Sequence, residues 1–109
     1  MNRGDIWEVD LGGKAGKRPV LILTRSAVIA YLSKVVVAEI TTQAKNYSSQ
    51  VAIEQSGNLR KNSYVSAENL YTIPKERFLR FIGELPEDLL EQVRCAVVYA
   101  LDLGEVKFT

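Results

Sequence analysis

The sequence predicts a mainly β chain, a small curled antiparallel sheet followed by one C-terminal helix. Two observations carry this. Short β-branched and apolar runs recur at close spacing from Asp5 to Gly83, with Gly, Asn, Ser and Pro between them. The last third then changes period, because Leu89, Leu90, Val93, Val97, Ala100 and Leu101 fall at helical spacing opposite Glu91, Gln92 and Arg94. At 109 residues the chain is expected to form one domain, residues 1–109, large enough for a hydrophobic core.

Each element has its own local reason. Asp5–Leu11 alternates apolar and acidic side chains, as a strand with one buried face does. Gly12–Lys17, with three glycines and two lysines, is a hairpin loop whose amides and Lys14 and Lys17 are placed to meet phosphate. It is not a P-loop, since no Gly-Lys-Ser/Thr entry to a helix follows. Pro19–Thr24 is a buried strand with Pro19 as its first residue, where a missing N–H costs no ladder bond. Ser26–Ser33 is a helical turn or loop. Lys34–Thr41 is a central strand and Gln50–Glu54 the next, with turn material at Asn46–Ser49 between them. Ser63–Ser66 is extended, Ala67-Glu68-Asn69 interrupts the pattern, and Leu70–Thr72 resumes it. Pro74–Phe78 is one helical turn, and Leu79–Gly83 the last strand. Pro86, Glu87 and Asp88 suit the first turn of the final helix, which Gly104 is expected to stop.

Composition narrows the function. Fourteen Lys and Arg against thirteen Asp and Glu leave a net charge of +1, so nucleic acid is not bound by bulk charge and any contact needs a local patch. With one cysteine and no histidine there is no disulfide framework, no Cys/His zinc site and no His-dependent ribonuclease or hydrolase mechanism. Cys95 is expected to be an inert buried thiol on the helix. No apolar stretch approaches a membrane span, and the first ten residues lack a signal-peptide core; a cytoplasmic protein is expected.

Three places put polar groups at the ends of apolar strands: Arg18, Thr41-Thr42-Gln43 and Glu68-Asn69. A guanidinium stays charged and pairs with phosphate through two parallel hydrogen bonds. Held extended before Pro19, Arg18 is a rigid phosphate fork. A hydroxyl such as that of Thr41 can bond a non-bridging oxygen, and Glu68 is the obvious candidate base for RNA self-cleavage chemistry. Tyr47, in a polar loop, is placed to stack on a base. Each residue also has a plain structural reading: Arg18 as a solvated charge, Thr41-Thr42 as β-propensity, and Glu68-Asn69 as a turn.

Taken together, Arg3-Gly4-Asp5-Ile6-Trp7 with Asp10, Lys17-Arg18-Pro19-Val20-Leu21-Ile22-Leu23, Ile40-Thr41-Thr42-Gln43, and Leu59-Arg60-Lys61-Asn62-Ser63 leading to Glu68-Asn69 resemble the MazF/PemK/Kid family of toxin ribonucleases. The resemblance implies an SH3-like barrel with a C-terminal helix, of the MazF/Kid/CcdB type. It also implies a homodimer, cleavage of single-stranded RNA without a metal or other cofactor, and a cognate antitoxin protein that occupies the RNA groove. The family's catalytic roles would fall on Arg18 and Thr41; Glu68 as a third catalytic residue, and RNA contacts through Lys14, Lys17, Thr42, Gln43, Tyr47 and Asn69, are expected from the residues themselves. Two departures stand out: Glu68-Asn69 replaces the Asp-Gln common in such families, and Ser66 stands where some relatives place arginine. The rival is a non-enzymatic, gyrase-binding toxin of the CcdB type, against which the Lys107-Phe108-Thr109 ending counts. A third reading is a catalytically dead regulatory barrel.

Overall fold

A computed structural model describes residues 1–104, so the Lys107-Phe108-Thr109 ending lies outside the described residues. The elements run β1 (Asp5–Asp10), β2 (Lys17–Ile22), α1 (Ser26–Ile29), β3 (Lys34–Thr41), β4 (Gln50–Glu54), β5 (Ser63–Pro74), β6 (Phe78–Glu84) and α2 (Glu87–Ala100). The strands form one six-stranded antiparallel sheet in the order β4-β5-β3-β2-β1-β6. Mainly β with a C-terminal helix is the expected class. Among the described residues, no helix is long and apolar enough to cross a membrane.

The sheet curls without closing. β4 and β6 stand at opposite ends of the strand order, yet Asn58, in the 3-10 turn Ser56–Asn58 that follows β4, donates its side-chain N–H to the Ile82 carbonyl of β6 at 3.0 Å. That turn fills the place where a ladder between β4 and β6 would close a ring. The approach is backbone on backbone, because a Cβ at Gly83 would overlap the Gly57 carbonyl. Glycine is required there for space.

Two apolar clusters lie on opposite faces of the sheet. On one, Ile6, Leu21, Ala38, Ile40, Ile53 and Val65 pack under α2, which contributes Val93 and Ala96 as buried residues and Leu89, Leu90, Val97 and Ala100 at their edge. On the other, Val9, Val20, Ile22, Val35, Val37 and Ile73 gather with Ile29, Trp7 and Phe78. Trp7 meets Phe78 and Phe81 edge-on, with ring centroids 6.0 and 5.8 Å apart.

Several local expectations are corrected. β2 begins at Lys17, so Pro19 is not its first residue. It is tolerated because it pairs only with Glu8 of β1, the β2–β3 ladder covering Val20–Ile22 alone. α2 ends at Ala100, ahead of Gly104, since Asp102 takes a left-handed φ of 52°. Leu101 therefore lies outside the helix and is exposed. Cys95 is exposed too: the buried residues beside it, Val93 and Ala96, define a narrow stripe, and a residue two positions from Val93 points the other way.

Candidate functional site

On the sheet face away from α2, the apolar residues give way to polar ones toward the C-terminal end of β3. Alternation puts Val35, Val37, Glu39 and Thr41 on one face of β3, and Ile22, Val20 and Arg18 on the same face of β2. Glu39 sits opposite Val20 on one side and Ser66 on the other. Carrying the β2–β3 register two positions beyond its last pair sets Arg18 opposite Thr41. Arg18 is exposed, and its Nε donates to the Ala15 carbonyl at 3.0 Å, which ties the side chain back to the Gly12–Lys17 loop. Its terminal nitrogens are the groups left to meet an anion.

The interruption at Ala67-Glu68-Asn69 is a bulge inside one continuous strand. Leu70 pairs with Ala38 and Ser66 with Glu39, so these three residues of β5 have no counterpart on β3. Ala67 turns into the core and donates its amide to the Ser49 carbonyl at 2.9 Å. Glu68 and Asn69 are left exposed. Asn69 reaches back across the bulge and donates from Nδ2 to Oε2 of Glu39 at 2.8 Å.

A cleft of about 300 Å³ opens beside this bulge. It gathers Thr41, Gln43, Tyr47, Glu68 and Asn69, five of the residues that the sequence singles out. Thr42, Lys14, Lys17 and Arg18 do not line it; Lys17 pairs with Asp10, one position off the face that carries Arg18. The Thr41 hydroxyl accepts the Gln43 amide at 3.2 Å, so its own proton remains available to a ligand oxygen.

Sequence reasoning missed five lining residues: Glu39, Lys45, Ser49, Gln50 and Ser66. Gln50 organises the loop over the cleft. Its Oε1 accepts the Lys45 amide at 2.8 Å, and its Nε2 donates to the Gln43 carbonyl at 3.0 Å and to the Ser66 hydroxyl at 3.4 Å. The signal for Glu39 was present, since it is the single charge inside the run Val35–Ile40, at the parity of Thr41. Gln50 reads as an ordinary strand start, and nothing local marks it. A larger groove of about 570 Å³, lined by Leu23, Leu32, Val36 and Leu101 among others, holds none of the singled-out residues.

The fold recurs in known proteins. The chain is 38% identical over 89 residues to Endoribonuclease MazF3 of Mycobacterium tuberculosis, covering 82% of this chain and 86% of that relative. It is 30% identical over 101 residues to Endoribonuclease MazF4 of the same species, covering 93% and 92%. Among solved structures, Mycobacterium tuberculosis toxin MazF-mt6 superposes with a TM-score of 0.86 at 35% identity, covering 93% of this chain and 99% of that one. A mycobacterial endoribonuclease in complex with its cognate antitoxin superposes at 0.87 with 28% identity, covering 97% and 99%. The family model of the PemK-like, MazF-like toxins of type II toxin–antitoxin systems matches residues 2–101, and the chain belongs to that family.

Proposed function

We propose that this chain is the endoribonuclease toxin of a type II toxin–antitoxin pair, working in the cytoplasm as a homodimer and held in check by a cognate antitoxin. Its substrate is single-stranded RNA, cut at preferred sequences by attack of a 2′-hydroxyl on the adjacent phosphorus. The products are a 2′,3′-cyclic phosphate and a 5′-hydroxyl end, and growth and translation are inhibited as a result. The observation that carries this reading is the polar cleft lined by Thr41, Gln43, Tyr47, Glu68 and Asn69 on the sheet face whose alternation Arg18 shares, with Arg18 falling opposite Thr41 if the β2–β3 register is continued.

In this scheme Arg18 stabilises the charge that builds on the phosphorane, because a guanidinium holds its proton and acts through charge and hydrogen bonds. Thr41 donates its hydroxyl proton to a non-bridging oxygen. A carboxylate at the cleft takes the 2′-hydroxyl proton, and Glu68 is the one that the sequence singles out. Tyr47, exposed at the rim, stacks on a base, Gln43 and Asn69 offer polar contacts within the cleft, and Thr42 offers one beside it. Lys14 and Lys17 meet the backbone outside the cleft. The relatives described above are endoribonucleases, which favours this reading over the gyrase-binding alternative.

The test is cleavage of a long RNA by purified protein in EDTA, with the ends mapped. Cutting that leaves 5′-hydroxyl ends, and falls by about 10²–10³-fold in Arg18→Ala, is the expected result. Equal cutting by Arg18→Ala, or intact RNA with the unmodified protein, contradicts it.

A further inference from the structure

Two carboxylates line the cleft, and the structure places them differently. Glu68 rides on the bulge, exposed, and its carboxylate has no hydrogen-bond partner among the described residues. Glu39 stands on β3, in the middle of the sheet and partly buried, two positions from Thr41 on the same face. Asn69 donates to Oε2 of Glu39 at 2.8 Å, which restrains the carboxylate and leaves Oε1 unengaged among the described residues. Diagonal neighbours across adjacent strands lie roughly 7–8 Å apart at the backbone, within reach of long side chains, so Glu39 and Arg18 can address one phosphodiester from adjacent strands.

Resting on the endoribonuclease reading above, we infer that Glu39 is the general base of the reaction and that Asn69 is its positioning residue. Oε1 of Glu39 takes the proton of the 2′-hydroxyl while the 2′-oxygen forms its bond to phosphorus. The bond from phosphorus to the 5′-oxygen breaks, the leaving oxygen takes a proton from water, and Glu39 returns its proton to the resulting hydroxide. A base that is held by a rigid strand and one amide bond needs no ordering at the moment of reaction, whereas one on an exposed bulge does. The bulge then has a defined purpose, since it lets Asn69 reach back to a strand from which the regular ladder would have kept it.

Single-turnover cleavage across pH, with wild type, Arg18→Ala, Glu39→Gln, Glu39→Asp, Glu68→Gln and Asn69→Ala, tests this. Glu39→Gln is isosteric and still accepts the Asn69 N–H, so the cleft keeps its shape. It is expected to lower the rate about 10²–10⁴-fold, to abolish the acidic limb of the pH profile, and to leave the cut sites and KM unchanged. Glu39→Asp keeps the acidic limb at a reduced rate. Asn69→Ala lowers kcat and shifts the limb, which a merely structural loss would not do. Glu68→Gln keeps the limb whatever its rate. The inference is overturned if Glu39→Gln retains the limb, if Glu68→Gln loses it, or if Glu39→Gln instead changes which sequence is cut, which would make Glu39 a reader of bases. If wild type fails to cut, or Arg18→Ala cuts equally well, the endoribonuclease reading falls and takes this one with it. A normal Glu39→Gln beside an inactive Arg18→Ala removes this inference alone.

Discussion

The two faces of the sheet obey different rules. Under α2 the face is apolar, with Ile6, Leu21, Ala38, Ile53 and Val65 fully buried. The opposite face starts the same way, with Val9, Val20, Ile22, Val35 and Val37, and then turns polar at Glu39, Thr41, Ser66 and Gln50. On the first face stability comes from area removed from water. At the polar end of the second, a bulge and a set of hydrogen bonds hold side chains in place around an open cleft, and little apolar area is covered. On the proposed reading, stability and chemistry are separated by the thickness of one strand: Ile40 points into the core while its neighbours Glu39 and Thr41 point at the cleft.

That separation can be broken from either side. Leu21→Ala on the covered face removes a fully buried side chain and is expected to cost about 2–5 kcal/mol in urea unfolding, with the cleavage rate per folded molecule unchanged. Loss of cleavage without loss of stability would mean that the faces are not separate. Gly83→Ala attacks the seam. Its new methyl would collide with the Gly57 backbone, which cannot swing aside as a side chain can, so about 1–3 kcal/mol is expected from the same unfolding measurement. A neutral result would mean that the turn after β4 is free to move away from β6.

The smallest effect belongs to the outer surface of α2. Arg94 donates to both oxygens of Glu91 and holds that carboxyl below its ordinary range, but both side chains are exposed. A carboxyl whose pKa is lowered on folding adds stability above its unfolded pKa and loses it as pH falls through the lowered value. Because water and salt screen the pair, Glu91→Gln is expected to leave the urea midpoint at neutral pH unchanged within error, and the two proteins to coincide in acid. A clear destabilisation at neutral pH would assign this pair a role that its exposure denies.

Much of this was legible in the chain. Period-two alternation marked β1, the β-branched run marked β3, and the helical spacing of Leu89, Val93 and Val97 marked α2. The polar break at Ala67-Glu68-Asn69 was visible as an interruption and proved to be a bulge, because strand pairing on both sides of it is set by partners distant in sequence. Thr41, Gln43, Tyr47, Glu68 and Asn69 were named from strand ends and loops, and they meet at one cleft because those ends are brought together by the order β4-β5-β3. Arg18 stands one strand further along, where only the register relates it to Thr41. Gln50 was not legible, since its importance comes from three hydrogen bonds to the loop and to Ser66 that exist only after the sheet forms. Cys95 was misplaced because apolar neighbours in sequence were read as neighbours in space, although a helix turns 100° per residue.

The central claim is that the polar end of the second face does chemistry that the fold does not need. Thr41→Val tests it most directly, because the exchange keeps the β-branched shape on β3 and removes only the hydroxyl. Urea unfolding and single-turnover RNA cleavage are measured on the same preparation. The account predicts a rate lowered about 10–100-fold, in the range of one lost transition-state hydrogen bond, with stability lowered by no more than about 1 kcal/mol, the worth of the exposed bond that the hydroxyl accepts from the Gln43 amide. A variant that cleaves at the wild-type rate, or that loses cleavage only in proportion to the molecules unfolded, would contradict it.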